Sequence, residues 1–258
     1  MTPLHCTITG NPDGAPIILL HAIATSGAMW GPQIRAWAAR FRIIIVDLPG
    51  HGQSPALPES AGFGDYADAV GATLVDVGVA SAGVVGLSFG AMVAMRLAHD
   101  RPQLVRSLVL ANGLAVTPLP VREAWRERIA MVRQSGIDAI ADATLGRWFT
   151  PQFAEQSPLT MNAVARMVRG TSADGFIGAA HAISTLDQVR LLESIGCPTL
   201  VVSGLQDAAA PADQVARIAA QIPLATLLAL DAPHMSNIEC AHAFTEQVGQ
   251  FLIRANGQ

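Results

Sequence analysis

The 258-residue sequence predicts an α/β fold: a mostly parallel central sheet flanked by helices, with an α-helical insertion over one end. Three observations carry this. Short, continuous apolar runs recur along the chain and alternate with helix-like segments, the pattern of parallel strands covered on both faces. The alternation breaks once, between residues 112 and 197, where the segments are helix-like only. Hydrophobic residues make up 51% of the chain, ample for one large core at this length.

Taken in order, residues 4–9 read as a short edge strand. Residues 17–21 (IILLH), 42–47 (RIIIVD), 82–87 (AGVVGL), 107–111 (SLVLA), 199–203 (TLVVS) and 226–230 (TLLAL) read as buried strands. Helices are expected near 29–40, 64–79, 91–100, 211–221 and 240–254. Between the fourth and fifth of the buried-strand runs lie helix-like stretches at 121–135, 136–144, 161–169 and 174–184, punctuated by Pro118, Pro120, Pro151 and Pro158. The expected division is a core of residues 1–113 and 197–258, with residues 114–196 as a helical cap.

Composition narrows the function. Only 14% of residues are charged and the net charge is −4, without the basic surplus of a nucleic-acid binder. Cys6, Cys197 and Cys240 are scattered, without disulfide-framework or metal-site spacing. Reduced thiols, no metal and no cofactor are therefore expected. The N-terminus has no basic start followed by an apolar stretch, and no apolar run reaches membrane-span length. The reading is a cytoplasmic protein acting on a small molecule, with no membrane partner; oligomeric state is left open.

The informative stretch is VVGLSFGAMVAM, residues 84–95. Ser88 stands between Gly86 and Gly90 where a buried strand ends and a helix begins. A tight strand-to-helix turn crowds its neighbours, and glycines two positions either side relieve the crowding. The serine hydroxyl then stands clear beside a helix N-terminus, which favours negative charge. This G-x-S-x-G arrangement makes Ser88 the candidate nucleophile; the bland alternative is a helix-capping serine.

A serine hydroxyl needs a base, and the base an orienting acid. Of seven histidines, only His234 sits just after the last expected strand and before the last helix. His99 and His242 fall within helices, His5 has no context, and His181 lies in the cap, where it would touch substrate or nothing. Asp207 follows the 199–203 strand on a loop and is the expected acid. Asp231, three residues before His234, is the weaker rival, being too close in sequence to approach the imidazole side-on. Asn112 follows the preceding strand but carries no charge. Oxyanion donors are expected from the backbone N–H groups of Phe89 and of Ile23, with Ala24 as alternative to Ile23. His21 either braces that loop or is a core histidine. DLPGHGQS, residues 47–54, lacks dinucleotide-fingerprint spacing and reads as a structural loop.

The order Ser88, Asp207, His234 resembles the α/β-hydrolase superfamily over essentially the full chain. Within it, the segments GLSFGAMVAMRLAHDRPQLVRSLVLAN, RWFTPQF, CPTLVVSGLQDAAAPAD and APHMSNIEC resemble the 3-oxoadipate enol-lactone hydrolases of the β-ketoadipate pathway of aromatic-compound catabolism. The chain departs from that subgroup at Phe89, where Met is common, at Ala91, where Gly is common, and at His21-Ala22-Ile23, where Asn-Ser-Leu is usual. The resemblance implies an α/β-hydrolase fold and a carboxylic-ester hydrolase that opens a small, carboxylate-bearing enol-lactone through an acyl-enzyme. It also implies a cation in the cap for the substrate carboxylate: Arg147, beside the pocket-wall candidate Trp148, ahead of Arg122, Arg126, Arg128 and Arg133. Trp30 is expected to pack the first helix. The alternatives are a general carboxylesterase or other lactonase, and a ligand-binding receptor with slow turnover.

Overall fold

The structure, a computed structural model, describes residues 3–255. Its strands are β1 (Cys6–Gly10), β2 (Pro16–Leu20), β3 (Arg42–Val46), β4 (Ala82–Leu87), β5 (Val105–Ala111), β6 (Thr199–Gly204) and β7 (Ala225–Leu230). They form one sheet in the order β1-β3-β2-β4-β5-β6-β7. β1 runs antiparallel to β3, and every other neighbouring pair is parallel. The apolar runs therefore mark the strands to within two residues. β4 shows why: all six residues are buried, so no position needs a polar side chain. The run at 226–230 departs from expectation. It predicts a strand covered on both faces, but β7 lies at the sheet edge and Leu227 is 47% exposed.

In chain order the helices are α1 (Gly31–Trp37), α2 (Phe63–Asp76), α3 (Phe89–Asp100), α4 (Leu119–Ser135), α5 (Asp138–Trp148), α6 (Pro151–Gln156), α7 (Pro158–Gly170), α8 (Ala173–Ser184), α9 (Ala212–Gln221), α10 (Ser236–Glu239) and α11 (Ala241–Ala255). The helix expected over 29–40 is a 3-10 turn, Gly27–Trp30, followed by α1, which begins around Pro32. The helix expected over 240–254 is α11, and a short further helix, α10, precedes it and ends at Cys240. Trp30 is fully buried against Phe244 of α11.

α4 to α8 all lie between β5 and β6, so the insertion is helical as expected, but it has five helices rather than four. The unforeseen one is α6. Its Pro151 reads as a break, yet proline suits a first helical turn, and the Thr150 hydroxyl caps it by accepting from the Phe153 N–H at 3.2 Å. The insertion is tied at its neck, where Val116 pairs with Asp187 and the Gln188 N–H donates to the Ala115 carbonyl at 2.7 Å.

Strand register positions the site. Leu20 lies opposite Gly86, Gly86 opposite Leu110, Ala111 opposite Val202 and Gly204 opposite Leu230. The loops after β2, β4, β5, β6 and β7 thus emerge together at the carboxyl edge of the sheet, where open α/β sheets bind ligands. Among the described residues no helix is long and apolar enough to cross a membrane.

Candidate active site

Ser88 occupies the turn between β4 and α3 with φ 56°, ψ −115°, a left-handed backbone unusual for a residue with a side chain. The turn is possible because its flanks are bare. A Cβ on Gly86 would lie 2.3 Å from the Gly90 carbonyl oxygen, and one on Gly90 would lie 2.1 Å from the Leu20 carbonyl oxygen. The Ser88 N–H donates to the Ala111 carbonyl at 2.8 Å, locking the turn to β5.

Ser88 Oγ lies 2.9 Å from His234 Nε2, and His234 Nδ1 lies 2.8 Å from Asp207 Oδ2. All three are buried. The carboxylate can only accept, so the imidazole proton sits on Nδ1 and the Nε2 lone pair accepts from the Ser88 hydroxyl. Asp207 has four donors: His234 and Asn112 Nδ2 on Oδ2, and the N–H groups of Ala209 and Ala210 on Oδ1. Burial alone would raise this carboxyl, but the charge and hydrogen bond of His234 and the bonds from Asn112 and Ala210 outweigh it. They hold Asp207 below the ordinary carboxylate value. Asp231 is elsewhere engaged, accepting from Gln206 Nε2 at 2.7 Å.

The loop after β2 turns tightly at 22–25, with the Thr25 N–H donating to the Ala22 carbonyl and Ala24 at φ 54°. Ile23 and Ala24 both line the cavity above Ser88. Phe89 is the first residue of α3, so its N–H has no acceptor a turn earlier in the helix.

His21 braces this loop. It is fully buried, its Nδ1–H donates to the Ala22 carbonyl at 2.8 Å, and its Nε2 accepts the Leu48 N–H at 2.8 Å. The bond accepted by Nε2 requires the neutral ring, with its proton on Nδ1. Burial pushes His21 down to about 4, and it pushes the neighbouring His51 down to about 3 with the help of His21. Unfolded, both titrate near 6.5, so the unfolded chain binds more protons and stability falls as pH drops from about 6.5 towards 4. Between pH 7 and pH 5 the expected loss is about 2 kcal/mol for each ring. Asp47 and Asp207, both held low, add to the loss below the ordinary carboxylate range. Urea unfolding at the two pH values checks this; an unchanged midpoint would contradict it.

A cavity of about 260 Å³ opens over Ser88 and His234. Its floor comes from the sheet edge and its roof from α4 and α5. α4 contributes Val121, Ala124, Trp125 and Arg128, and α5 contributes Thr144, Arg147 and Trp148. Trp148 is buried and stacks on His234, ring centroids 6.3 Å apart. Arg147 lines the cavity, and Arg128 lines it too, its guanidinium 4.6 Å from the Trp125 ring centroid. Among the described residues neither arginine has a carboxylate within ion-pair distance. Burial lowers Arg147 from its ordinary value, and burial together with Arg147 pushes Arg128 down to about 10. The signal for Arg128 was present: 121, 124, 125 and 128 are one helical face. The other arginines are engaged elsewhere. Arg126 pairs with Glu123, Arg133 with Glu59, and Arg122 Nε donates to the Thr117 carbonyl. His181 is not among the cavity-lining residues.

The two segments RWFTP and SNIE prove to be one junction. The Met235 N–H donates to the Trp148 carbonyl at 3.2 Å, and Thr150 donates to the Glu239 carboxylate from its N–H at 3.0 Å and its hydroxyl at 2.5 Å. The insertion is thereby pinned to the loop that carries His234.

Comparison with known proteins gives a consistent picture. The sequence profile described as alpha/beta hydrolase fold matches residues 15–241. The chain is 29% identical over 253 residues to 3-oxoadipate enol-lactonase 2 of Acinetobacter baylyi, covering 98% of this chain and 94% of that one. It is 27% identical over 243 residues to the (E)-2-((N-methylformamido)methylene)succinate hydrolase of the same species, covering 93% and 91%. Among solved structures it is similar to the enol-lactonase from Burkholderia xenovorans LB400, with a TM-score of 0.93, 33% identity and 96% of each chain covered.

Proposed function

The chain belongs to the α/β-hydrolase fold family, and from that premise we propose that it is a serine hydrolase opening a small, carboxylate-bearing enol-lactone, 3-oxoadipate enol-lactone, to 3-oxoadipate. The single observation carrying the chemistry is the hydrogen-bonded line Ser88–His234–Asp207 at 2.9 and 2.8 Å beneath a cavity. Ser88 is the nucleophile, His234 the general base and acid, and Asp207 the carboxylate that orients and charge-balances the imidazole. Residues 114–196 act as the cap and residues 1–113 and 197–258 as the core.

Ser88 Oγ attacks the lactone carbonyl as His234 Nε2 takes its proton. The N–H groups of Phe89 and Ile23 receive the developing oxyanion. The acyl carbon–oxygen bond of the ring breaks, and His234 returns the proton to the departing enol oxygen, which stays tethered to the acyl group. His234 next takes a proton from water, the hydroxide adds to the acyl carbon, and the carbon–Oγ bond breaks with the proton going to Ser88. The sum is lactone plus water to a keto diacid after the enol tautomerises.

The substrate class rests on Arg147 and Arg128. Two half-buried guanidinium groups without an acidic partner cost desolvation that an incoming carboxylate offsets. Two of the relatives in the sequence comparison are named for substrates that carry carboxylates, while others are named as carbamate hydrolases. Trp148 forms the wall against His234. Arg147→Ala is expected to raise KM for the anionic lactone about 10- to 100-fold and to leave kcat/KM for p-nitrophenyl acetate within about twofold. Equal losses on both substrates would count against a carboxylate subsite. Hydrolysis of the aryl ester without any turnover of the lactone would favour the second reading, a general esterase, for which the largely apolar cavity lining is the supporting observation.

A further inference from the structure

We infer that Asn112 is a positioning residue for the Asp207–His234 pair, its amide clamping the carboxylate oxygen that faces the imidazole and tying it to the chain carrying His234. The inference rests on the triad reading above.

Asn112 is the first residue after β5 and is fully buried. Its N–H donates to the Val202 carbonyl at 2.9 Å, so its backbone is anchored to β6. Its φ of 51° lies in the left-handed region, which asparagine tolerates better than most residues with a side chain. That backbone turn comes with both ends of its amide engaged. Nδ2 donates to Asp207 Oδ2 at 2.9 Å, and Oδ1 accepts the Ser236 hydroxyl at 2.6 Å. Ser236 follows His234 by two residues. One side chain from β5 therefore joins the loop after β6 to the loop after β7.

Room for this link is provided by Gly204 at the end of β6. A Cβ there would lie 2.8 Å from Asn112 Nδ2 and 2.5 and 2.8 Å from the carbonyl oxygens of Ala232 and Pro233. The donor count gives the link its effect. Oδ1 of Asp207 is held by two backbone N–H groups and Oδ2 by Asn112 and His234, so the carboxylate has a donor for each of its roughly four lone-pair sites. Without Asn112, Oδ2 keeps only its bond to His234. The carboxylate is then held by three donors instead of four, and the greater charge left on Oδ2 favours the imidazolium. A neutral amide supplies the bond without a proton that His234 could exchange. The titratable groups facing the network are Asp207 and His234 themselves, with Arg128 and Arg147 across the cavity.

The test is the pH profile of kcat/KM on p-nitrophenyl acetate for wild type, Asn112→Gly, Asn112→Asp and Ser88→Ala, with thermal unfolding of each. Glycine removes both amide bonds while easing the positive φ, which keeps the variant fold-competent. It is expected to lower kcat about 10- to 100-fold, the scale of one hydrogen bond to a charged group, with KM little changed. Its acid limb should move up by about half a pH unit, because the carboxylate beside the imidazole loses a donor. Asn112→Asp keeps the shape and the Ser236 acceptor but sets a second carboxylate against Asp207. Its acid limb should move up by about one unit or more. Loss of activity with an unmoved limb in both variants would reduce Asn112 to packing and overturn the inference, as would wild-type behaviour of Asn112→Gly. If Ser88→Ala itself stays active, the triad reading has failed and takes this inference with it. An inactive Ser88→Ala beside an Asn112→Gly that behaves as wild type overturns the positioning role alone.

Discussion

Replacing Ser88 with alanine is expected to cut kcat for lactone and aryl-ester hydrolysis by about 10⁴- to 10⁶-fold, with KM and melting temperature little changed. The size follows from the site. Ser88 Oγ is the oxygen 2.9 Å from the Nε2 of a histidine whose other nitrogen is committed to Asp207, so its loss removes the proposed acyl-enzyme route altogether. The fold should tolerate the change, because alanine keeps the backbone of the turn and leaves behind only the His234 ring, which still bonds Asp207. His234→Gln should lose a similar amount. Asp207→Asn should also be severe, about 10⁴-fold, since an amide NH₂ facing Nδ1 turns the imidazole to the wrong tautomer. Single-turnover assays on purified, folded variants check all three. Residual activity in Ser88→Ala above about one-hundredth of wild type would rule out the proposed nucleophile.

Gly90→Ala is expected to be among the most destabilising single methyl additions in the chain, costing about 3 kcal/mol or more. Its Cβ would sit 2.1 Å from the Leu20 carbonyl oxygen, 2.5 Å from the Leu20 carbonyl carbon and 2.8 Å from the His21 carbonyl oxygen. Every one of these is backbone, so no side chain can swing aside. Relief requires α3 to move away from β2, and that movement drags Phe89 and Ser88 off the loop carrying Ile23. Both stability and kcat should therefore fall. Gly146→Ala is the contrast, because a Cβ there meets nothing within 4 Å and a helical glycine gains from alanine. Urea denaturation of the two variants decides it. A Gly90→Ala protein as stable as wild type would mean that β2 and α3 are less tightly apposed than the structure has them.

The strands and the order Ser88, Asp207, His234 were legible because each depends on local pattern. A buried parallel strand is a run of apolar residues, and a strand-to-helix turn with flanking glycines marks itself. The strand ends favour Asp207 over Asp231, and in the structure Asp207 bonds His234 while Asp231 bonds Gln206. The short helices α6 and α10 were less legible. Short helices owe more to capping and packing than to periodicity, and Thr150 acts both as cap and as the partner of Glu239, 89 residues away in sequence.

By itself the sequence determined the α/β class, the helical insertion and the residue types available for ester chemistry. These follow from hydrophobic period and from turn sterics, which act over a few residues. Tertiary structure decided which face of α4 turns to the cavity, so that Arg128 joins Arg147 in its wall while Arg126 and Arg133 pair with acids outside it. It also decided that β7 is an edge, and that Asn112 spans two loops through a slot left by Gly204. The physical reason is distance along the chain. A side chain's partner 95 or 124 residues away is set by sheet order and register, and those depend on how every element packs at once.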